Sequence, residues 1–129
     1  HEITDDTLFA PMIDARRMEV YSALYNVKME EVSPVAPHIF SEDSFINEAQ
    51  EHSLILTGDG CAKSIELLGQ RPHIKIFTEV LSSARGMIPF SESKWQHKHF
   101  EDVAYSEPFY LKEFIAGIPR VKGLRSPIK

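Results

Sequence analysis

Asp14-Ala15-Arg16-Arg17 sets one carboxylate and two guanidiniums side by side at the tip of an expected hairpin. Guanidinium groups hold phosphate through charge-assisted hydrogen bonds, and the same groups form a solvated turn by pairing with carboxylates such as Asp14 and Glu19. The tip carries no glycine, whereas a backbone phosphate cradle needs residues without Cβ so that N–H groups approach closely. A second candidate is Gly58-Asp59-Gly60, which opens a helix straight after an apolar run. Helix N-termini attract anions, and Lys63-Ser64 lies close by. The spacing nevertheless matches neither the dinucleotide fingerprint nor the full phosphate loop, and Asp59 repels phosphate. A tight strand-to-helix turn accounts for the same residues.

The remaining reactive side chains assemble no active site. Cys61 stands at that helix start, where a thiolate is stabilised, but no histidine is near it in sequence; a small buried residue is the simpler reading. His97 and His99 are two apart, on different faces of a helix, unlike the i, i+4 pair of a helical zinc site, and read as solvated. Glu30-Glu31 and Glu42-Asp43 read as surface and helix-start charges. No metal site is expected.

The elements that position these residues follow from the apolar pattern. Leu8, Phe9, Met12 and Ile13 form a run that stops at Asp14, and Val20, Ala23 or Leu24, and Tyr25 supply a returning strand. Lys28–Val32 and Ser33–Pro37 read as a third strand, which two prolines restrict to an edge or a short piece. Ser41 is the expected cap of a first helix, with Glu42 and Asp43 at its positive end, Phe45, Ile46 and Ala49 inward, and an end near His52. Leu54-Ile55-Leu56 reads as a strand covered on both faces. A second helix with Ala62, Ile65 and Leu68 inward ends at Gly69. Ile74, Ile76 and Phe77 give a last strand. Ser82 or Ser83 caps a third helix in which Ala84, Met87, Ile88, Ser91 and Trp95 share a face, kinked or spliced at Pro89. Ser106–Leu111 is a closing apolar-aromatic segment.

Three antiparallel strands followed by strand–helix crossovers predict an α/β fold. Its mixed sheet has helices packed on it, the order of a ribonuclease-H-like half of the actin-like ATPase architecture. The 129 residues make one domain, expected over 1–114, with a flexible basic tail over 115–129. Residues 112–129 carry a net charge of +4 against −9 for the remainder. The total of −5 disfavours a dedicated nucleic-acid binder, and a lone cysteine suits a reducing compartment. No run approaches the roughly 18 apolar residues of a membrane span. A start at His1 reads as a piece of a longer protein.

Ile13-Asp14-Ala15-Arg16-Arg17-Met18-Glu19-Val20-Tyr21 resembles the hallmark I-D-A-R-x-x-E-V-Y stretch of the TsaB (YeaZ) family. Glu107-Pro108-Phe109-Tyr110-Leu111-Lys112 is similar to that family's closing E-P-x-Y-L-[RK] segment, with the Gly58-x-Gly60 turn between. The resemblance covers roughly residues 8–114 and corresponds to the family's C-terminal subdomain. It implies a bacterial cytoplasmic, non-catalytic scaffold that activates a TsaD-type catalytic subunit, beside a TsaE-type ATPase, in making threonylcarbamoyladenosine in tRNA. Older descriptions call the group glycoprotease-like peptidases. On this reading the chain needs no cofactor of its own, ATP belongs to the partner complex, tRNA is touched only indirectly, and a homodimer is possible. The carried-over positions are Asp14, Arg16, Glu19 and Tyr21, then Glu107, Pro108 and Tyr110. With Arg17, Gly58 and Gly60 they form the candidate binding or interface set. The competing expectations are half of an actin-like ATPase or sugar kinase that binds nucleotide, a peptidase, and an adaptor that touches RNA through the basic tail.

Overall fold

The computed structural model describes residues 3–111; the expected basic tail, 115–129, lies outside them. Five strands form one mixed sheet in the order β3-β2-β1-β4-β5. β1 (Thr7–Asp14) pairs antiparallel with β2 (Glu19–Tyr25), and β2 pairs antiparallel with β3 (Glu31–Ile39). β4 (Ser53–Thr57) runs parallel to β1, and β5 (Ile74–Phe77) parallel to β4. The carboxyl ends of β1, β4 and β5 therefore lie along one rim of the sheet. This is the three-antiparallel-then-parallel sheet expected from the sequence. β3 lies at the edge, as its prolines require, but it runs the full nine residues, because an edge strand needs backbone partners on one side alone.

Alternation along the strands separates two faces. Leu8, Ala10 and Met12 of β1 share one face with Val20, Leu24, Leu54, Leu56 and Ile74, and all of them are buried. α1 (Ile46–Glu51) and the turn before it add Phe40, Phe45 and Ala49 to this core. The 3-10 turn Cys61–Ser64 and α2 (Ile65–Leu68) add Cys61 and Leu68. The inward residues of that segment are thus Cys61, Ser64 and Leu68, whereas Ala62 and Ile65 face solvent. A 3-10 start shifts the periodicity from 3.6 towards 3 residues per turn and so rotates the inward stripe. Gly69 does close α2, in a right-handed conformation (φ −64°).

Ser41 does not cap α1. Its N–H donates to Ser44 Oγ at 2.9 Å, and the chain makes a further turn through Phe45, left-handed at φ 58°, before the helix begins. Arg71 fastens this turn by donating to the carbonyls of Glu42 and Ser44. His38 on β3 closes the corner. Its Nε2 lies 2.9 Å from Ser44 Oγ, and its ring sits 4.7 Å from Phe45 and 5.5 Å from Phe40.

The opposite face of the sheet is open. Leu54 and Leu56 are fully buried, but Ile55 between them is half-buried, so β4 is not covered on both sides as its apolar run suggests. Phe9, Ile55, Thr57, Lys75, Phe77 and Val80 line a groove of about 670 Å³ there. Beyond β5 the chain is exposed. Ser83 caps a 3-10 turn, Ala84–Met87, by accepting the Arg85 N–H at 3.3 Å. α3 (Ile88–Gln96) follows with Pro89 in its first turn. Pro89 thus marks a splice between two helical pieces, the site where proline is tolerated. Met87, Ile88 and Trp95 are all exposed. The helix ends before His97 and His99, which lie beyond it with rings 6.1 Å apart.

Burial holds the His38 imidazole below its ordinary pKa of 6.5, partly offset by the nearby Glu48 carboxylate. The unfolded chain therefore binds more protons than the folded one as pH falls through and below 6.5. The contribution of His38 to stability is present above that value and lost on acidification. Urea unfolding between pH 5 and 7.5 should show the native chain weakening towards pH 5, and His38→Asn should flatten that slope.

Candidate functional site

The carboxyl rim of β1, β4 and β5 gathers most of the polar positions singled out in the sequence. β1 ends at Asp14, where the hairpin turns through Arg16 and Arg17, both left-handed at φ 71° and 51°. Ala15 N–H donates to Glu19 O, and Glu19 N–H donates to Arg16 O, each at 3.1 Å. Arg16 N–H also donates to Asp14 Oδ1 at 2.5 Å. The side chains of both arginines are exposed and make no hydrogen bond or ion pair to another described residue. Non-glycine residues at positive φ cost about 1–3 kcal/mol each, so the tip keeps two guanidiniums outward at the expense of local strain.

Asp14 is held from across the chain. Lys63, in the 3-10 turn after β4, donates from Nζ to Asp14 Oδ1 at 2.5 Å and to Glu19 O at 2.9 Å. One ammonium thereby ties the end of β1, the start of β2 and the β4 turn together. The Lys63 hydrogen bond, seconded by the Arg16 N–H, holds the Asp14 carboxyl below its ordinary pKa. Asp59 is part of the same arrangement: its Oδ1 accepts the Asp14 N–H at 3.1 Å. The sequence alone does not single out Lys63, for which the one signal is a lysine three positions after Gly60. Asp14 is paired with that lysine, not with the guanidinium of Arg16 or Arg17.

The glycine turn has a steric role. Gly58 has φ +98°, and a Cβ there lies 2.2 Å from Met12 O; a Cβ on Gly60 meets Val20 Cγ1 at 2.7 Å. Its donors are also committed. Gly58 N–H donates to Val80 O, Gly60 N–H to Met12 O, Cys61 N–H to Gly58 O and Lys63 N–H to Gly60 O. An anion cradle needs such groups pointing outward; here four of them close the turn on itself, on β1 and on Val80 beyond β5. Cys61 is fully buried, its thiol donates to Phe77 O at 3.6 Å, and burial pushes its pKa up. That is the reverse of an activated thiolate.

Tyr21 is half-buried on the open face, paired with Ile13 in the ladder. Glu107, Pro108 and Tyr110 are not brought to the rim. They lie exposed in an irregular segment, with Tyr110 79% accessible. Glu30, Glu31, Glu42 and Asp43 are exposed, as expected of surface charges. Among the described residues, no three His, Cys, Asp or Glu side chains come close enough to share a metal ion. The Ser44–His38 contact has the chemistry of a nucleophile and base, but Ser44 is 4% exposed and its oxygen accepts the Ser41 N–H. It serves as a turn lock.

No protein-family model and no curated protein matches this sequence. Among solved structures, the chain is similar to the crystal structure of an uncharacterized protein with similarity to peptidase YeaZ from Pseudomonas aeruginosa. The TM-score is 0.59 at 20% sequence identity, over 81% of this chain and 49% of that one. The fold is YeaZ-like. The chain spans about half the length of that neighbour. No helix among the described residues is long and apolar enough to cross a membrane.

Two substitutions test the rim. Gly58→Ala should lower unfolding free energy by about 2 kcal/mol or more, because it adds positive-φ strain and a backbone clash; urea denaturation reads this directly. Lys63→Met should raise the Asp14 pKa back towards 3.8, followed by carboxyl NMR. A depressed carboxyl pKa gives stability that is present above 3.8 and lost as pH falls, so the same variant should weaken the acid dependence of unfolding.

Proposed function

We propose that this chain is the C-terminal, ribonuclease-H-like half of a TsaB-type protein. It acts as a non-catalytic scaffold for a TsaD-type catalytic subunit, with a TsaE-type ATPase, in forming threonylcarbamoyladenosine in tRNA. The observation that carries this reading is the closed glycine turn. Gly58 and Gly60 give their N–H groups to Val80 and Met12, and Lys63 is spent on Asp14 and Glu19. A nucleotide-binding half of an actin-like enzyme needs those donors at the strand ends for phosphate. The YeaZ-like fold, the I-D-A-R-x-x-E-V-Y match at residues 13–21 and the half-length overlap with the neighbour support the same reading.

On this reading the tip is a contact surface. Asp14 and Lys63 hold its base, while Arg16 and Arg17 project where a partner's carboxylates or the other half of the protein meet them. Arginine suits such a role because its planar fork bonds carboxylates in pairs. ATP is a matter for the partner assembly, and tRNA is reached through the catalytic subunit.

Mass spectrometry of bulk tRNA, in cells depleted of the protein that carries this chain, tests the proposal. Threonylcarbamoyladenosine should fall on depletion and return with the unaltered protein, and Arg16→Glu should restore it poorly while folding normally. An unchanged level after confirmed depletion overturns the reading, and tight Mg-ATP binding by the depleted protein itself would favour an enzyme instead.

A further inference from the structure

The hairpin tip carries a carboxylate that its own arginines are placed to capture, and they do not. Asp14 stands two residues before Arg16 and three before Arg17, within reach of two long, flexible side chains. The turn also needs an acceptor at that position: Asp14 Oδ1 takes the Arg16 N–H at 2.5 Å and so supports a residue at φ 71°. Both arginine side chains are nevertheless exposed, with no hydrogen bond or ion pair to another described residue. What occupies the carboxylate is Lys63, mostly buried and 49 positions away. Its Nζ lies 2.5 Å from Asp14 Oδ1 and 2.9 Å from Glu19 O. The charge of Arg16 acts on the same carboxylate, but Lys63 acts on it more strongly.

We propose that Lys63 is a positioning residue: by balancing the Asp14 charge it keeps Arg16 and Arg17 disengaged, so that the tip grips carboxylates on an acidic segment of another polypeptide. This role rests on the tip being a contact surface, as in the TsaB-type reading, and adds the chemistry of what that surface meets. Without the ammonium, the Asp14 carboxylate draws in a guanidinium and the turn closes on itself. Such an exposed pair is weaker than the one it replaces, yet it competes with a partner for the same fork of donors. Carboxylates suit the tip better than phosphates. A guanidinium holds a carboxylate through two parallel hydrogen bonds from its side chain alone. A phosphate cradle draws on backbone N–H groups as well, and here Gly58, Gly60, Cys61 and Lys63 have given theirs to carbonyls. The net charge of −5 likewise disfavours nucleic acid as the source of the anion.

Fluorescence anisotropy with a labelled hexaglutamate peptide tests this in the intact protein that carries the chain, at low ionic strength where exposed charge pairs are least screened. The unaltered protein should bind the peptide, and Arg16→Glu together with Arg17→Glu should abolish binding. Lys63→Met should weaken it by about five-fold, the size of one exposed charge pair. Asp14→Asn in the Lys63→Met background should restore it, because the competing carboxylate is gone while the clamp stays broken. A merely structural Lys63 leaves that double variant as weak as Lys63→Met. Asp14→Asn alone, which keeps an acceptor for the Arg16 N–H, decides the matter even where circular dichroism shows Lys63→Met unfolded: it should bind at least as tightly as the unaltered protein. Weaker binding by Asp14→Asn, equal binding by a folded Lys63→Met, or no recovery in a folded double variant would each overturn the proposal. So would an unaltered protein that ignores the peptide or prefers oligouridylate to it. If threonylcarbamoyladenosine still depends on the protein in that event, the scaffold reading stands and the role of Lys63 alone is lost.

Discussion

The close approach of the β4 turn to the end of β1 is the constraint on which the rest of the molecule depends. Gly58 and Gly60 let two backbones meet where no side chain fits, the nearest obstacle being Met12 O, 2.2 Å from where a Cβ would stand. That approach brings Lys63 within 2.5 Å of Asp14 and within reach of Glu19 O. Asp59 meanwhile turns back to accept the Asp14 N–H. The parallel β1–β4 pairing has no hairpin to fix it, so its register relies on such contacts at the strand ends. Lys63 is mostly buried and Asp14 about half-exposed. The pair is therefore more constrained than a surface ion pair, though still partly screened by solvent.

From this clamp the asymmetry of the sheet follows. The β3–β4 and β4–β5 connections both lay their helices on the face that holds Leu8, Met12, Leu54 and Leu56. The other face receives Phe9, Ile55 and Phe77 from the same strands, because side chains alternate, yet its groove remains open. A long alternating strand at the centre of a sheet produces two faces whether or not both have cover. Exposed apolar faces of this kind mark interaction surfaces.

The rim has the placement of a ligand site without its donors. In open α/β sheets, ligands bind beyond the carboxyl ends of the parallel strands, and here that position is occupied by an internal salt bridge and a self-satisfied turn. Two exposed arginines at positive φ stand beside that turn. The YeaZ-like fold is compatible with such a rim, since a fold of this kind hosts activity only where its site residues supply it.

The sequence by itself determined the hairpin and the succession of strands and helices along the chain, and narrowed β3 to an edge or a short piece and Pro89 to a kink or a splice. Each is a local consequence of side-chain alternation, proline geometry or turn chemistry. It also located Gly58 and Gly60 at a strand-to-helix turn. Less legible was the start of α1, where a left-handed Phe45 displaced the Ser41 cap, because side-chain capping competes with turns that tertiary packing selects. The inward stripe of the Cys61–Leu68 segment was likewise misplaced, since a 3-10 start changes the period. Only the tertiary structure decided that Asp14 belongs to Lys63, 49 positions away. It alone decided that four of the turn's N–H groups are spent and that Ile55 faces an open groove. Those facts depend on which surfaces meet after folding, and neither residue type nor spacing encodes a partner so distant along the chain.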